Sequence, residues 1–286
     1  MPTNLLAEIE SRMADFSKSQ RYLASYIIEH YEKAAYMTAA KLGAAVNVSE
    51  STVVRFAIEI GFDGYPEMQK ALQNYSRNRL TTLQRLDIAN DRLAGDNLLK
   101  NVLTQDMDRI RSTIDYVSPE DFDKAIDKIF SAKNIYIFGA MSSNILARFL
   151  DNYLQIAFDN VTNVQPINSS GILQQLIHLD ENDVFISISF PRYSNNTLIA
   201  TAYAKKCGAN IISITDSPSS PLAEYADELL LAKSDMMSYA DSLVAPLSLI
   251  NAIIVAVGMR NNESLERNLT KLETLWEENE AYKKDV

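Results

Sequence analysis

Residues 134–144 read NIYIFGAMSSN, an apolar run that ends at Gly139 and passes into small, hydroxyl-bearing residues. A short run rich in isoleucine and aromatics, closed by glycine, has the length and composition of a buried strand rather than of a helix. The serines behind it belong at the start of the next helix. Four more runs of this kind follow: VTNVQPI (161–167), DVFISISF (183–190), NIISITD (210–216) and DELLLA (227–232). Helical patterns of about ten residues or more separate several of them, and such alternation builds a parallel sheet covered on both faces. Right-handed crossovers then give a Rossmann-like, three-layer α/β sandwich around a five-stranded parallel sheet. Helical segments near 241–260 and 264–282 finish the chain. The last carries Leu265, Leu269, Leu272, Leu275 and Trp276 on one side, as a helix does that packs on a partner.

Upstream of the sheet the pattern changes. Residues 1 to about 78 hold short helical patterns and nothing with strand alternation. Ser17 is placed to cap a helix whose apolar face is Leu23, Tyr26 and Ile27; Thr38 caps a short helix through Ala45. Ser49 caps a third, running to about Ile60 and closed by Gly61. Residues 79–95 are polar, partly helical and end in Gly95; another helical pattern runs from Leu98 to Val117. Ser118-Pro119-Glu120 is a helix start, with proline in the first turn. The expected organisation is two domains: an all-α helix-turn-helix bundle over 1–78, a helical linker over 79–105, and the α/β domain over 106–286.

With 286 residues, 47% of them hydrophobic, the chain can build two ordinary cores and is not globally disordered. The single cysteine, Cys207, excludes an internal disulfide and a multi-cysteine metal site. The start of the chain lacks a secretory pattern, and the longest apolar stretch, 248–259, is too short for a bilayer and contains Asn251. A cytoplasmic protein without membrane contact is expected. The net charge of −10 lies entirely downstream: residues 1–80 carry nine basic and nine acidic groups, the rest 18 and 28. The neutral N-terminal part can hold a polyanion only through a local basic face and the avidity of an oligomer.

Residues 38–56, TAAKLGAAVNVSESTVVRF, have the pattern of a helix-turn-helix. Gly43 stands where two helices cross closely, and Asn47 stands at a turn that needs a left-handed backbone, which asparagine tolerates. Val48 and Val53 face inward and Ser49 caps the second helix. Ser49, Ser51, Thr52 and Arg55 are thereby left near the exposed N-terminal end, the end that enters a major groove. Ser49 and Thr52 suit phosphate contacts, whereas Ser51 and Arg55 are placed for base edges.

In an open α/β sheet, ligands bind beyond the carboxyl ends of the strands. Three loops lie there: Gly139 to Asn144, Ser189 to Thr197, and Asp216 to Pro221. In the first, Ser142 and Ser143 with free amides at a helix start suit an anion. In the second, Ser189, Arg192, Ser194 and Thr197 add hydroxyls and a guanidinium. Together these six residues are the candidate ligand site.

Particular motifs narrow both readings. Ser19-Gln20-Arg21, Ile27-Ile28, VSESTVVRF (48–56) and GFDGY (61–65) make the run from Phe16 to Leu72 similar to the N-terminal domain of the RpiR-type (MurR/RpiR) regulators. From about Asp121 to Leu231 the chain resembles the SIS (sugar isomerase) domain of the same regulators. The marks are Ile137-Phe138-Gly139 with Ser143, Ile188-Ser189, Ala204-Lys205 with Gly208-Ala209, Ile214-Thr215-Asp216, and Ser220-Pro221-Leu222-Ala223 with Ala226-Asp227. The resemblance implies a transcriptional regulator on double-stranded operator DNA, a phosphosugar in the pocket, and a homodimer or homotetramer. Two loops depart from the family pattern. Met141 replaces the second glycine of Gly-x-Gly-x-Ser. Pro191 and Arg192 replace the inner Ser-Gly of Ser-x-Ser-Gly-x-Thr, and Ser194 replaces its Thr. The implied ligand widens to a small anionic metabolite, a phosphosugar or sugar derivative.

The rival class is a SIS-domain sugar-phosphate isomerase, which needs a base near the sugar carbon. The chain offers only His30, in the N-terminal half, and His178, after a short helix; Glu224 reads as a solvated carboxylate. A protein-binding adaptor is a third class, favoured by the neutral N-terminal charge. The expectation is a ligand-responsive regulator with no catalytic residues, no metal and no cofactor.

Overall fold

The computed structural model describes residues 5–77, 79–93, 97–260 and 262–282. The chain forms two compact units, Met1–Leu98 with Met236–Asp241, and Leu99–Asp235 with Ser242–Val286.

The first unit is helical: α1 (Leu5–Ser11), α2 (Lys18–Glu29), α3 (Tyr31–Ala34), α4 (Ala39–Ala45), α5 (Glu50–Glu59), α6 (Tyr65–Arg77) and α7 (Thr82–Leu93). The expected caps form. Ser17 and Gln20 make a reciprocal capping box, Thr38 accepts from the Lys41 amide, and Ser49 accepts from the Thr52 amide. The core gathers Ile9, Phe16, Leu23, Ile27, Leu42, Phe56, Met68 and Leu72, with the Phe16 and Phe56 rings 5.1 Å apart. Tyr65 of the GFDGY turn donates to the Met37 carbonyl at 2.8 Å, and burial pushes its hydroxyl up to about 12.

Six residues from far along the chain complete this unit. Met236 packs with Leu80 and Ile88. The buried Arg85 donates from Nη1 to both carboxylate oxygens of Asp241, at 3.0 and 3.1 Å. A buried guanidinium needs such a partner, because an unpaired charge there costs several kcal/mol. The stretch expected as a helical linker, 79–105, forms α7 and the beginning of α8 (Leu98–Tyr116). Gly95, read as its end, lies outside the described residues.

The second unit continues from α8 with α9 (Pro119–Ser131), β1 (Ile135–Gly139), α10 (Ser143–Ala157), β2 (Val161–Asn163), α11 (Ser169–Gln175) and β3 (Val184–Ile188). It closes with α12 (Asn195–Lys206), β4 (Asn210–Thr215), β5 (Glu228–Leu231), α13 (Val244–Arg260) and α14 (Asn262–Glu278). All five expected strands form, in one parallel sheet of order β2-β1-β3-β4-β5. Side chains alternate between faces, as a strand demands. Ile135, Ile137, Ile186 and Ile212 pack against α9, α10 and α13; Tyr136, Phe138, Phe185 and Ile211 pack against α11 and α12. Among the described residues no single helix is long and apolar enough to cross a membrane.

The edge strand β5 is pinned by Asp227. Its amide donates to the Ile211 carbonyl at 2.9 Å; its carboxylate accepts from the Ile211 amide at 2.9 Å and pairs with Lys205 at 2.5 Å. Partial burial would raise its pKa, but the Ile211 amide and Lys205 hold it below the ordinary value. Asp227→Ala is expected to lower stability by about 1 kcal/mol, the scale of a partly exposed charge-assisted hydrogen bond. A carboxyl with a depressed folded-state pKa stabilises above its unfolded value, near about pH 4, and stops doing so as pH falls through the folded value. Urea titrations of parent and variant should therefore converge toward acid. A gap that stays constant down to about pH 3 would contradict this electrostatic role.

Candidate functional site

Two surfaces combine exposed polar chemistry with a rigid support. The first is the α4–α5 pair. An added Cβ on Gly43 would stand 2.7 Å from the Val48 carbonyl oxygen, so only glycine allows the chain to fold back there. The Gly43 carbonyl accepts from the Val48 amide at 2.9 Å, and Asn47 adopts the expected left-handed backbone at φ 58°. Val53, Phe56 and Ala57 anchor α5 in the core. Ser49, Ser51 and Arg55 are left exposed and Thr52 half-buried at its N-terminal end.

The structure brings these four residues together. Ser49 Oγ lies 2.8 Å from Ser51 Oγ and 2.9 Å from Thr52 Oγ1, while Arg55 Nε donates to the Ser51 carbonyl at 3.3 Å. Three hydroxyls and one guanidinium thus share an outward face at a helix N-terminus, where the dipole favours an anion. Ser49 Oγ also receives the Thr52 amide as its cap, so Ser51 and Thr52 carry the more available hydroxyls.

The second surface is the carboxyl edge of the sheet. Helix α10, after β1, packs on one face and α12, after β3, on the other, while β1 and β3 are neighbours. That is a topological switch point, where two loops part and leave a crevice. Loops one and two flank it, and Gly139 and Ile188 are paired in register at its floor. The third loop leaves β4, one strand further over.

Loop one turns sharply. A Cβ on Gly139 would meet the Ser143 carbonyl oxygen at 2.6 Å. Met141 is left-handed at φ 55° with its side chain 85% exposed, so the bulk that replaces glycine points to solvent. Ser142 is exposed and Ser143 buried. The expectation of free amides here needs correction. The amides of Ser143, Asn144 and Ile145 already donate to the carbonyls of Ala140, Met141 and Ser142, at 3.1, 3.1 and 3.2 Å. The tight i→i+3 turn forced by Gly139 uses them.

In loop two, Ser189 is buried; its amide donates to the Ile214 carbonyl at 3.2 Å and its Oγ accepts from the Ser194 amide at 3.4 Å. Arg192 is exposed and Ser194 half-buried. Tyr193 donates to Asp216 Oδ1 at 2.7 Å, tying this loop to the third. In the third loop Ser220 receives Thr215 Oγ1 at 2.9 Å and the Leu222 amide at 3.2 Å, so this serine shapes its own loop.

Two buried polar atoms in the first turns of the flanking helices stand out. Thr197 is fully buried in the first turn of α12, and its Oγ1 has no hydrogen-bond partner; the buried Nδ2 of Asn144, in the first turn of α10, has none either. A buried polar atom left unpaired costs about 1–3 kcal/mol, so native folds provide it with a ligand or an ordered water. Thr197 was an expected site residue; Asn144 was not. Its signal in sequence is only an amide side chain one residue after two serines at a helix start.

Comparison with known proteins matches both parts of the chain. Residues 3–79 match the helix-turn-helix domain of the rpiR family, and residues 128–256 match the SIS domain. The HTH-type transcriptional regulator HexR of Pseudomonas aeruginosa is 24% identical over 94% of this chain and 94% of its own length. The sugar isomerase domain of an RpiR transcription factor from Sphaerobacter thermophilus is 26% identical, with a TM-score of 0.60 over 63% of this chain and 99% of its own. The Vibrio vulnificus NanR protein complexed with ManNAc-6P shares the fold at a TM-score of 0.56 and 20% identity, over 95% of this chain and 99% of that one.

The close approach at Gly43 is open to a direct test. Gly43→Ala should cost about 1–3 kcal/mol, the scale of an overpacked core position. Thermal unfolding followed by circular dichroism would report it; an unchanged melting curve would mean the turn is not held by that contact.

Proposed function

Because the chain belongs to the RpiR-type family, a helix-turn-helix followed by a SIS domain, we propose that it regulates transcription by binding operator DNA under the control of a small anionic metabolite. The effector is a phosphosugar or related sugar derivative held by the SIS domain, and the protein acts as a cytoplasmic homodimer or homotetramer. One observation carries the reading: Ser51, Thr52 and Arg55 stand outward beside the Ser49 cap at the N-terminal end of α5, while the opposite face of that helix is core. A groove-reading helix needs this division. Ser51 and Arg55 reach base edges, Arg55 toward a guanine, and Ser49 and Thr52 hold phosphate.

The sensing half is supported by the switch-point crevice and by the unpaired Thr197 and Asn144 atoms in the helix turns that flank it. Ser142, Ser143, Ser189, Arg192, Ser194 and Thr197 line the two loops that flank the crevice. ManNAc-6P, the compound held by NanR, is of the expected class. The geometry favours a sensor over an isomerase. His178 is exposed on the turn that precedes β3, near the amino ends of the strands, and His30 belongs to the other unit. Glu224 is exposed just after the third loop, which leaves β4 rather than β1 or β3.

Fluorescence anisotropy on the protein's own promoter region provides the first test. Affinity should fall steeply with added salt, and Arg55→Ala should weaken binding about tenfold or more, the loss of one base contact, without change in melting temperature. Salt-independent binding, or full affinity in the variant, would sink the assignment. For the sensing half, a thermal-shift screen over phosphorylated sugars, amino sugars and sugar acids identifies the effector, and calorimetry then compares Thr197→Val and Arg192→Ala with the parent. Both substitutions should weaken effector binding, by about five- to a hundredfold each for lost hydrogen bonds to an anion. Equal affinity in both would remove loop two from the site.

A further inference from the structure

All five strands are parallel, so the chain leaves β5 at the carboxyl edge of the sheet, the edge that carries the three candidate loops. It then runs through 232–243 before α13 begins. Residues 236–241 of this stretch belong to the helical unit, while the residues on either side belong to the α/β unit. The stretch has the shape of a finger. Its base is closed within the α/β unit, where Ser234 Oγ donates to the Ser242 carbonyl at 3.0 Å and the Ser242 amide donates to the Asp235 carbonyl at 3.3 Å. Beyond the base, Met236 and Asp241 form an antiparallel bridge. At the tip the amides of Met237 and Ser238 donate to the Ala240 carbonyl at 3.3 and 3.2 Å. A loop bonded across itself in this way transmits a displacement that a slack loop would absorb.

Both ends of the finger meet groups that bear on function. On the base side, the Ala232 amide donates to the Thr215 carbonyl at 2.8 Å, and Thr215 is the residue from which the third loop departs. Asp216 of that loop accepts from Tyr193 of loop two at 2.7 Å. The Lys233 amide donates to Thr113 Oγ1 at 2.9 Å, and Ser242 Oγ donates to Asp106 at 2.6 Å, so both limbs of the base are moored to α8. A run of bonded groups therefore leads from loop two to the finger. On the far side, Met236 packs with Leu80, Ile88 and Tyr36. Tyr36 stands two residues before Thr38, the cap of α4, which is the first helix of the helix-turn-helix. Asp241 takes both of its bonds from Arg85 of α7, whose side chain is 3% exposed. Releasing that carboxylate would leave a desolvated charge behind, so the finger is clasped rather than resting on the helices.

We propose that residues 236–241 are a coupling finger, through which a change at the ligand edge of the sheet reaches the start of the helix-turn-helix, with the Asp241–Arg85 pair as its clasp. The inference rests on the regulator reading for what is coupled, effector and DNA, but hydrogen–deuterium exchange of the full chain tests the coupling with neither present. Tyr193→Phe cuts the tie between loop two and the third loop, and should change exchange of the amides in 36–45 by about fivefold or more. Asp241→Asn keeps the shape and an acceptor at the clasp while removing its charge; in that background Tyr193→Phe should have no further effect on 36–45. Ser234→Ala, which opens the base from within the α/β unit, should block the effect in the same way and stands in if loss of the clasp unfolds the helices. Unchanged exchange of 36–45 in Tyr193→Phe, or a change that persists at full size once the finger is loosened, would overturn the proposal. Fluorescence anisotropy on the promoter region then reads the consequence, with ManNAc-6P as the probe. The parent's DNA affinity should differ by about fivefold or more with and without ManNAc-6P, and Asp241→Asn should bring that ratio to about one. Binding of DNA alone and of ManNAc-6P alone should stay within about twofold of the parent, which a merely destabilised variant would not achieve. A ratio equal to the parent's would overturn the coupling. A parent that binds no DNA, or does not respond to ManNAc-6P, counts against the regulator reading alone, and the exchange experiment then decides the coupling by itself.

Discussion

Both candidate sites depend on backbone touching backbone where no side chain intervenes. At Gly139 the start of α10 comes within 2.6 Å of the place a Cβ would occupy, and at Gly43 the turn before α5 comes within 2.7 Å. Neither approach tolerates a methyl group without displacement of main chain, which has nowhere soft to yield. The two contacts therefore fix where α10 and α5 begin, and with them the polar groups in their first turns. The left-handed residues nearby, Met141 and Asn47, complete each reversal. Asparagine carries that conformation readily, whereas methionine does so only because the surrounding turn dictates it.

The same tightness shapes the chemistry at the sheet edge. Closing loop one in i→i+3 turns engages three amides that would otherwise face an anion. On the proposed reading, recognition then falls to side chains: to hydroxyls, to the Asn144 amide, and to Arg192 on the opposite loop. A guanidinium offers planar, paired donors and keeps its charge at every physiological pH. Replacing an inner Ser-Gly by Pro191-Arg192 thus exchanges short-range hydroxyl contacts for a longer-reaching cation. The proposed site would then select more by the charge of its ligand than by the fit of a tetrahedral group.

How much of this the sequence discloses depends on the range of the interaction. The five strands are legible because Ile137, Ile186 and Ile212 repeat a local pattern that only a doubly covered sheet satisfies. Caps such as Ser17, Thr38 and Ser49 are legible because their partners lie three residues away. The groups on α5 are legible for the same reason. The insertion of 236–241 beside Arg85 is not, since it joins residues more than 150 positions apart through one ion pair. Nor are the unpaired Thr197 and Asn144 atoms, because satisfaction of a hydrogen bond is a property of the folded neighbourhood. On α8 an apolar stripe is visible in sequence, yet periodicity alone reports a buried face and cannot say what buries it. Only the folded chain shows that Arg109 and Thr113 occupy the inner side.

Charge and symmetry bear on one another in the last step. The N-terminal 80 residues are electrically neutral, so the DNA-reading face proposed for α5 has Arg55 and a few hydroxyls to offer rather than a basic field. Contacts with few phosphates leave a single such domain weak at physiological salt. The remaining residues carry the net −10 and repel a polyanion. Affinity must then come from doubling: two weak readers joined in one particle gain about 10²–10⁴ over one, provided both can engage at once. Because that gain vanishes when the geometry is wrong, a neutral reader is easily switched by anything that alters the pairing of subunits. A strongly basic reader would stay bound through its charge alone. On the proposed reading, the neutrality that first seems to argue against DNA binding is the property that makes such binding responsive to a ligand.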